Sequence, residues 1–316
     1  MHHRPVSCRA VIGTILICCL LGMTAARSNA MPVRVEKAAI SASAPCGSLA
    51  GTAPHVRSVV LIMMENHATP VLGSMPYLDA IAAGCARAAG YHAITHPSLP
   101  NYIALTSGRI PSGIRGGDCE PGGSCLSHDR SIFGQTGGSW RVWAQAMTRR
   151  CQRRTIGRYA TRHTAAPYYT RIRSQCRARQ IPLDGPRHGL SATLNADRLP
   201  AFSLVVPDVR DDQHDGCIPC GDRFAQTWIG RIVRSAAYRR GDVAVFVTWD
   251  EDDYSAADHV PLVVVSPYTT PGSVARGHYT HYDLLRMIER TLGYPPLGAA
   301  RTRSNGLARQ FGLTTP

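Results

Sequence analysis

Four stretches of the chain are continuously apolar, and they constrain the fold more than any other feature. They are residues 58–63, 201–206, 243–248 and 261–266. A continuous apolar run of this length is typical of a strand buried on both faces, as in a parallel sheet. Segments with helical signals lie between and after them, at 76–89, at 222–238 and from Thr280 onward. This alternation predicts an α/β fold, with a mostly parallel central sheet covered by helices on both faces.

Acidic residues follow three of these runs. They are Glu65, the group Asp211, Asp212 and Asp215, and the run Asp250–Asp253, while His259 precedes the fourth apolar run. Ligands of such sheets bind beyond the carboxyl ends of the strands, so we expect these acids at one edge. Gathered carboxylates repel one another unless a cation neutralises them. The sequence therefore predicts a divalent metal ion of unknown identity, although each group alone also fits a helix cap or a solvated turn.

Residues 95–108 contain the candidate nucleophile. Pro100 suits the first turn of a helix, and Gly108 suits its end. Ser98 would then lie at the N-terminus of that helix, where free N–H groups favour an anion. A serine in this place is also an ordinary N-cap. Beside a bound cation, however, its hydroxyl can be activated as a nucleophile.

The first thirty residues have the order of a secretory signal peptide. Residues 1–9 are basic, residues 11–23 are apolar, and small residues follow as far as Ala30. We therefore expect a secreted, extracellular protein, with an uncleaved signal anchor as the alternative. Residues 31–54 are small and rich in Pro, Ala and Ser, which predicts an extended leader.

Eight cysteines remain after the predicted signal peptide. An even number in an exported chain predicts disulfides, and short loops pair most easily. We therefore predict the pairs Cys46–Cys85, Cys119–Cys125, Cys151–Cys176 and Cys217–Cys220. A zinc site at Cys217 and Cys220 is the alternative, although a second Cys-x-x-Cys is missing from the sequence.

The charge of the chain is strongly basic. There are 35 Lys and Arg residues against 21 Asp and Glu, and Lys37 is the one lysine. Eleven arginines fall between residues 139 and 179, where the Cys151–Cys176 pair predicts a small disulfide-stapled cap. Such a cap is either a solvated basic surface or one that attracts polyanionic or membrane-bound phosphoesters.

Six blocks of the chain resemble the phosphoesterase family of the alkaline phosphatase superfamily. They are residues 62–67, 95–102, 212–216, 248–253, 259–267 and 281–289. The family includes bacterial phospholipases C and secreted acid phosphatases. The resemblance implies an alkaline-phosphatase-like catalytic domain over residues 55–300, with the arginine-rich segment as an insertion and residues 301–316 as a C-terminal tail.

The resemblance also implies roles for individual residues. The metal ligands would be Glu65, Asn66, Ser98, Asp250 and Glu251. Ser98 would be the nucleophile, with Thr95 as the alternative, and Asn101 would contact a phosphate oxygen. His214 can act as the acid that protonates the leaving group. Asp212, His163, His259 and His281 complete the implied active-site set.

These implications favour a secreted, metal-dependent phosphomonoesterase that forms a seryl-phosphate intermediate. The chain looks most similar to secreted acid phosphatases that act on a phosphoinositide, so a membrane phosphoinositide is one candidate substrate. A phosphodiesterase of the phospholipase C type is the alternative enzyme. A non-enzymatic basic surface protein that binds polyanions would explain the charge but not the acids after three strands. We expect no nucleic acid and no stable protein partner.

Overall fold

The computed structural model describes residues 45–52 and 54–314. The predicted signal peptide and most of the predicted leader therefore lie outside the described residues. None of the helices in the described part of the chain combines the length and the apolar character needed to cross a membrane.

The strands of the described chain form a sheet of eight and a sheet of two. In chain order they are β1 (Ser58–Met64), β2 (Ala86–Ala88), β3 (Tyr91–His92), β4 (Trp140–Ala144), β5 (Gln180–Pro182), β6 (Phe202–Val206), β7 (Val243–Trp249), β8 (Leu262–Val265), β9 (Ser273–Ala275) and β10 (Tyr279–Thr280). The large sheet has the order β5-β4-β6-β1-β7-β8-β2-β9, and β3 pairs with β10. The four apolar runs predicted as strands are thus β6, β1, β7 and β8, side by side at the centre.

One of these four strands runs against the others. β1 is parallel to both β6 and β7, but β8 is antiparallel to β7, with Val245 opposite Val265. The physical reason is the connection, because the described residues between β7 and β8 contain no helix, and a parallel neighbour would need a crossover that is usually helical. The start of β8, rather than its end, therefore lies at the edge where β1, β6 and β7 end.

The helices of the described chain cover this sheet. The α-helices are α1 (Pro76–Gly84), α2 (Ser98–Ser107), α3 (Ser112–Arg115), α4 (Ile132–Gln135), α5 (Cys176–Arg179), α6 (Leu190–Asn195), α7 (Ile218–Val233), α8 (Ala236–Arg239), α9 (His281–Thr291) and α10 (Gly306–Gln310). Single 3-10 segments occur at Thr69–Ser74, Thr161–Thr164, Ala166–Tyr168, Thr170–Gln175 and Gly298–Thr302. α1 packs against α7, and α2 packs against α9. Every residue of β1 and β7 is buried, so both faces of the sheet are covered and the predicted fold class is confirmed.

Two predicted helices have different bounds in the structure. The helix expected to reach residue 89 ends at Gly84, because residues 86–88 form β2 between β8 and β9. The helix expected over residues 222–238 begins earlier, at Ile218, and ends at Val233. The chain then turns into α8, whose N-cap Ser235 accepts a hydrogen bond from the N–H of Tyr238.

The two segments predicted as a cap and a tail are joined to the core. Residues 139–179 include β4, a strand of the central sheet whose Trp140 and Trp143 are fully buried. The remainder of that segment is built mainly of turns, 3-10 helices and α5. Near the C-terminus, Leu307 and Phe311 are buried, so this part of the chain packs into the core as well.

All four predicted disulfides are confirmed. The bonded pairs are Cys46–Cys85, Cys119–Cys125, Cys151–Cys176 and Cys217–Cys220. The Cys151–Cys176 bond closes the arginine-rich segment, and the Cys46–Cys85 bond ties the leader to the end of α1. Because Cys217 and Cys220 bond to each other, the alternative of a zinc site there is wrong.

Candidate active site

Backbone hydrogen bonds hold the acids of three strand ends together. Glu65 follows β1, and its N–H donates to the carbonyl oxygen of Asp212 over 2.9 Å. Asp250 follows β7, and its N–H donates to the carbonyl of Met64 over 3.1 Å. The expectation that these acids share one edge of the sheet is therefore met.

Four carboxyl groups form what we call the acid cluster: Glu65, Asp212, Asp250 and Glu251. Each is 2% exposed or less. Burial raises the pKa of Glu65 well above its usual range, and the charges of Asp250 and Asp212 raise it further. Burial also raises the pKa of Asp250 to about 6 and that of Glu251 to about 9, and it raises the pKa of Asp212 well above its usual range. Because burial disfavours the charged form of each carboxyl, a proton or a cation stabilises the cluster.

Asn66 links two members of the acid cluster. Its backbone N–H donates to Asp250 Oδ1 over 3.2 Å, and its Nδ2 donates to Glu251 Oε1 over 2.9 Å. The residue has a φ of 47°, in the left-handed region that asparagine tolerates better than most residues. This turn of the backbone directs both donors of Asn66 towards the acids.

Ser98 is the first residue of α2 rather than its N-cap, which is Pro97. Its buried hydroxyl donates to Glu65 Oε2 over 3.0 Å. One helical turn later, the Tyr102 hydroxyl donates to the other oxygen of the same carboxylate. Tyr102 was missed by the sequence analysis, although its i, i+4 spacing from Ser98 places both on one helix face.

The N–H of Leu99, the second residue of α2, has a distant partner. Leu99 N–H donates to Asp118 Oδ1 over 2.8 Å, and Asp118 Oδ2 lies 3.1 Å from Arg162 Nε. Arg162 Nη2 in turn lies 3.0 Å from His214 Nε2. Neither Asp118 nor Arg162 was predicted as a site residue, because the glycine-rich loop around Asp118 carries no local signal.

His163 lies between two acids of the cluster. Its Nδ1 is 3.1 Å from Asp212 Oδ2, and its Nε2 is 3.4 Å from Glu65 Oε2. Burial lowers its pKa well below the usual range, and the nearby Arg162 charge lowers it further. Ligand atoms of Glu65, His163 and Asp212 all lie within 4.8 Å of one another, so these residues could hold a metal ion.

The donor set fits the predicted divalent cation. Asp250 Oδ2, Asn66 Oδ1 and His163 Nε2 are buried without a hydrogen-bond partner among the described residues. Carboxylate and amide oxygens with an imidazole suit several divalent metals. A cation here would also balance the negative charge that the acid cluster carries when its carboxyl groups are ionised.

His281 is fully buried, and both of its ring nitrogens have protein partners. Its Nε2 lies 2.7 Å from the carbonyl oxygen of Asp250, and its Nδ1 lies 2.7 Å from the Tyr91 hydroxyl. Burial lowers its pKa to about 4, so the ring is neutral at neutral pH. With Nε2–H donating, Nδ1 accepts from Tyr91. In this arrangement His281 positions the backbone of Asp250.

Thr95 lies in the turn before α2, and Asn101 lies in the first turn of that helix. Asn101 Oδ1 accepts from the N–H groups of Ile94 and Thr95 over 3.0 and 3.2 Å. The Thr95 hydroxyl donates to the His96 carbonyl over 3.2 Å, whereas that of Ser98 donates to Glu65. The turn therefore brings Ser98, and not Thr95, into hydrogen-bond contact with the acid cluster.

Two predicted histidines lie further out. His214 is 34% exposed, with Nδ1 3.1 Å from Asp215 Oδ1. His259 Nε2 bonds to the carbonyl of Ala89 over 2.8 Å, and its ring stacks on His92. These contacts of His259 are with residues outside the acid cluster.

The outer part of the acidic run makes a second group, which adjoins the acid cluster because His96 Nδ1 lies 3.2 Å from Glu251 Oε2. His96 Nε2 lies 3.1 Å from Asp252 Oδ1 and 2.9 Å from Asp258 Oδ1, and these three residues could also hold a metal ion. The same contacts are equally those of an imidazole that donates to two carboxylates. The spacing of Asp258 from Asp252 carried no signal, because only the antiparallel return into β8 brings it back.

The fold and the acid-lined strand edge define an alkaline-phosphatase-like α/β protein. A protein of the alkaline phosphatase superfamily from Vibrio parahaemolyticus superposes with a TM-score of 0.52. The superposition covers 82% of this chain and 72% of that protein at 13% identity, which shows the likeness of fold alone. The model of the phosphoesterase family matches residues 72–295. The chain belongs to this family of hydrolases of phosphoric esters.

Two relatives illustrate the family. A phosphatidylinositol-3-phosphatase of Mycobacterium tuberculosis is 28% identical over 263 residues, which cover 80% of this chain and 83% of the relative. An acid phosphatase of Aspergillus fumigatus is 24% identical over 66% of this chain. That match covers 48% of the fungal protein, so the chain spans about half of its length.

Proposed function

We propose that the protein is a metal-dependent phosphomonoesterase that works through a phosphoseryl intermediate on Ser98. One observation carries the proposal: the Ser98 hydroxyl lies 3.0 Å from Glu65 Oε2, inside a buried cluster of acids. A serine used only for helix capping would not need this contact, and Ser98 is not the N-cap. A hydroxyl held beside a cation site is suited to nucleophilic attack.

The residues that would hold the cation are Glu65, Asn66, Asp250 and Glu251, together with the Ser98 oxygen. His163 and Asp212 share Glu65 with this set and could supply further ligands. When bound, the cation would lower the pKa of the hydroxyl and offset the charge of a phosphoryl group. The raised carboxyl pKa values support this assignment, because four buried acids need a positive charge to ionise together.

The chain's own residues supply the remaining steps. Ser98 Oγ forms a bond to phosphorus while the bond from phosphorus to the leaving alcohol breaks. The hydroxyl proton has Glu65 Oε2 as its nearest acceptor. His214, held by Asp215, gives a proton from Nε2 to the leaving oxygen, which requires that Arg162 Nη2, the donor to this nitrogen in the structure, first moves away from it. Water then attacks the phosphoserine, which releases phosphate and restores Ser98.

We further propose that the protein is exported and that a phosphoinositide is among its substrates. The predicted signal peptide and the four disulfides support export. The similarity to a mycobacterial phosphatidylinositol-3-phosphatase supports the phosphoinositide substrate. Exposed arginines of the 139–179 segment, among them Arg149, Arg150 and Arg154, would favour an anionic membrane surface.

The test uses the purified, oxidised protein. We expect hydrolysis of p-nitrophenyl phosphate, loss of hydrolysis in EDTA and its return with one added divalent metal. The bis(p-nitrophenyl) ester should be a much poorer substrate, and vesicles that contain phosphatidylinositol 3-phosphate should release inorganic phosphate. A preference for the bis ester would instead support the phospholipase C type. Hydrolysis unaffected by EDTA and by exhaustive dialysis would refute the metal dependence.

A further inference from the structure

Arg162 is a charged residue at the candidate active site to which no role has been given above. Its guanidinium reaches Asp118 on one side and His214 on the other, at 3.1 and 3.0 Å. Asp118 accepts from the N–H of Leu99, the second residue of α2 and the neighbour of Ser98. The guanidinium therefore bridges the start of the nucleophile helix and the histidine proposed as the acid.

This bridge is on the open side of the acid cluster. The side chains of Arg162, Asp118 and His214 are 22%, 31% and 34% exposed, whereas those of Ser98 and the cluster are buried. A phosphoester in solvent can therefore contact these three side chains, which lie beside the start of α2 and Ser98. The charge of Arg162 is also felt inside the site, because it lowers the pKa of His163, which burial already lowers.

A phosphoryl group entering here meets carboxylates on its inner side. Arginine is the residue best suited to hold it, because the planar guanidinium offers several donors that match two phosphoryl oxygens. A phosphomonoester dianion has three non-bridging oxygens, and a diester monoanion has two. An arginine at the mouth therefore stabilises the monoester more strongly than the diester.

We propose that Arg162 is a substrate-binding residue that donates to the non-bridging phosphoryl oxygens and selects monoesters over diesters. Asp118 is its positioning residue, since its carboxylate forms an ion pair with the guanidinium, with Oδ2 3.1 Å from Nε. This inference rests on the proposed phosphoesterase function.

The experiment compares Arg162→Ala and Arg162→Lys with Arg187→Ala, which removes an exposed arginine outside the site. Each variant is assayed on p-nitrophenyl phosphate and on its bis ester, with inorganic phosphate as inhibitor. For Arg162→Ala we expect kcat/KM to fall about a hundredfold for the monoester and less than tenfold for the diester. The inhibition constant of phosphate should rise about tenfold or more. Arg162→Lys should retain part of the monoester activity and part of the phosphate affinity that Arg162→Ala loses. Arg187→Ala should keep kcat/KM and the phosphate inhibition constant within about twofold of the unsubstituted protein.

Equal losses on the two esters with an unchanged phosphate inhibition constant would assign Arg162 a purely structural role and overturn the inference. Thermal unfolding separates this case from misfolding, and Arg162→Lys carries the test if the alanine variant does not fold. Absence of any hydrolysis by the metal-supplemented unsubstituted protein would refute the proposed function. In that case, calorimetric titration with inorganic phosphate decides: equal affinity in the unsubstituted protein and Arg162→Ala overturns the inference, and weaker affinity in the variant supports it.

Discussion

Helices α2 and α9 pack against each other and begin at the same edge of the sheet, but their N-termini are stabilised in different ways. In α9 the partners are local, since Asp283 Oδ2 accepts from both the N–H and the hydroxyl of Thr280, over 2.8 and 3.0 Å. In α2 the N-cap is a proline, and the Leu99 N–H finds its acceptor, Asp118, nineteen residues away. The comparison teaches that the serine of α2 is not needed for capping, so its hydroxyl is available for chemistry.

The largest expected effect is on activity, and it comes from the serine at the start of α2. Ser98→Ala should lower kcat on p-nitrophenyl phosphate at least about a thousandfold, because it removes the proposed nucleophile. Its thermal midpoint should stay close to that of the unsubstituted protein. Thr95→Ala is the matched control, and we expect it to retain most of the activity. The reverse result for the two variants would move the nucleophile to Thr95.

The next effect tests why the acids surround α2. Glu65→Gln and Asp250→Asn should each lower metal occupancy and activity together, by at least about tenfold in metal affinity, since each removes one anionic ligand. Elemental analysis and calorimetric titration measure the occupancy. Asp253→Asn is the control, because this acid is exposed and bonds to Ser255 instead. Full occupancy in both site variants would contradict the metal assignment.

A buried acid of α9, Glu289, lies outside the proposed cation site and tests how burial alone affects a carboxyl group. Burial raises the pKa of Glu289 from 4.5 to about 8, although one oxygen accepts from Leu297 N–H. Between these two pH values the unfolded chain loses the proton while the folded chain keeps it, so stability falls as pH rises. Glu289→Gln should remove this decline and gain on the order of 4 kcal/mol at pH 8, with little change below pH 4.5.

Urea unfolding at several pH values measures this difference. An equal slope of stability against pH in the unsubstituted protein and Glu289→Gln would show that Glu289 ionises in the folded state. Added divalent metal should stabilise both proteins equally, because Glu289 lies outside the proposed cation site.

The smallest effect tests capping itself. Thr280→Ala should destabilise the protein by about 1 kcal/mol in urea unfolding, as expected for the loss of an N-cap. Ser98→Ala should show no such capping loss, since its N-cap is Pro97. A larger loss of stability in Ser98→Ala than in Thr280→Ala would contradict the comparison of the two helices.

Local and periodic features could be predicted from the sequence because their causes are local. The apolar runs predicted β1, β6 and β7, since a strand buried on both faces must be apolar throughout. The capping box predicted the start of α9, and the short spacings of the cysteines predicted four disulfides. The chain order of acids after strands predicted that Glu65, Asp212 and Asp250 would meet, because parallel strands end at one edge.

The sequence by itself thus determined the class of fold, the edge of the sheet that carries the site and the acids at its centre. Only the tertiary structure decided which neighbours complete that site. Asp118 and Arg162 are far apart in the chain and come together through an ion pair at the start of α2. Asp258 reaches His96 because β8 runs antiparallel to β7. Such contacts depend on where a loop crosses the folded surface, and neither periodicity nor spacing along the chain encodes that crossing.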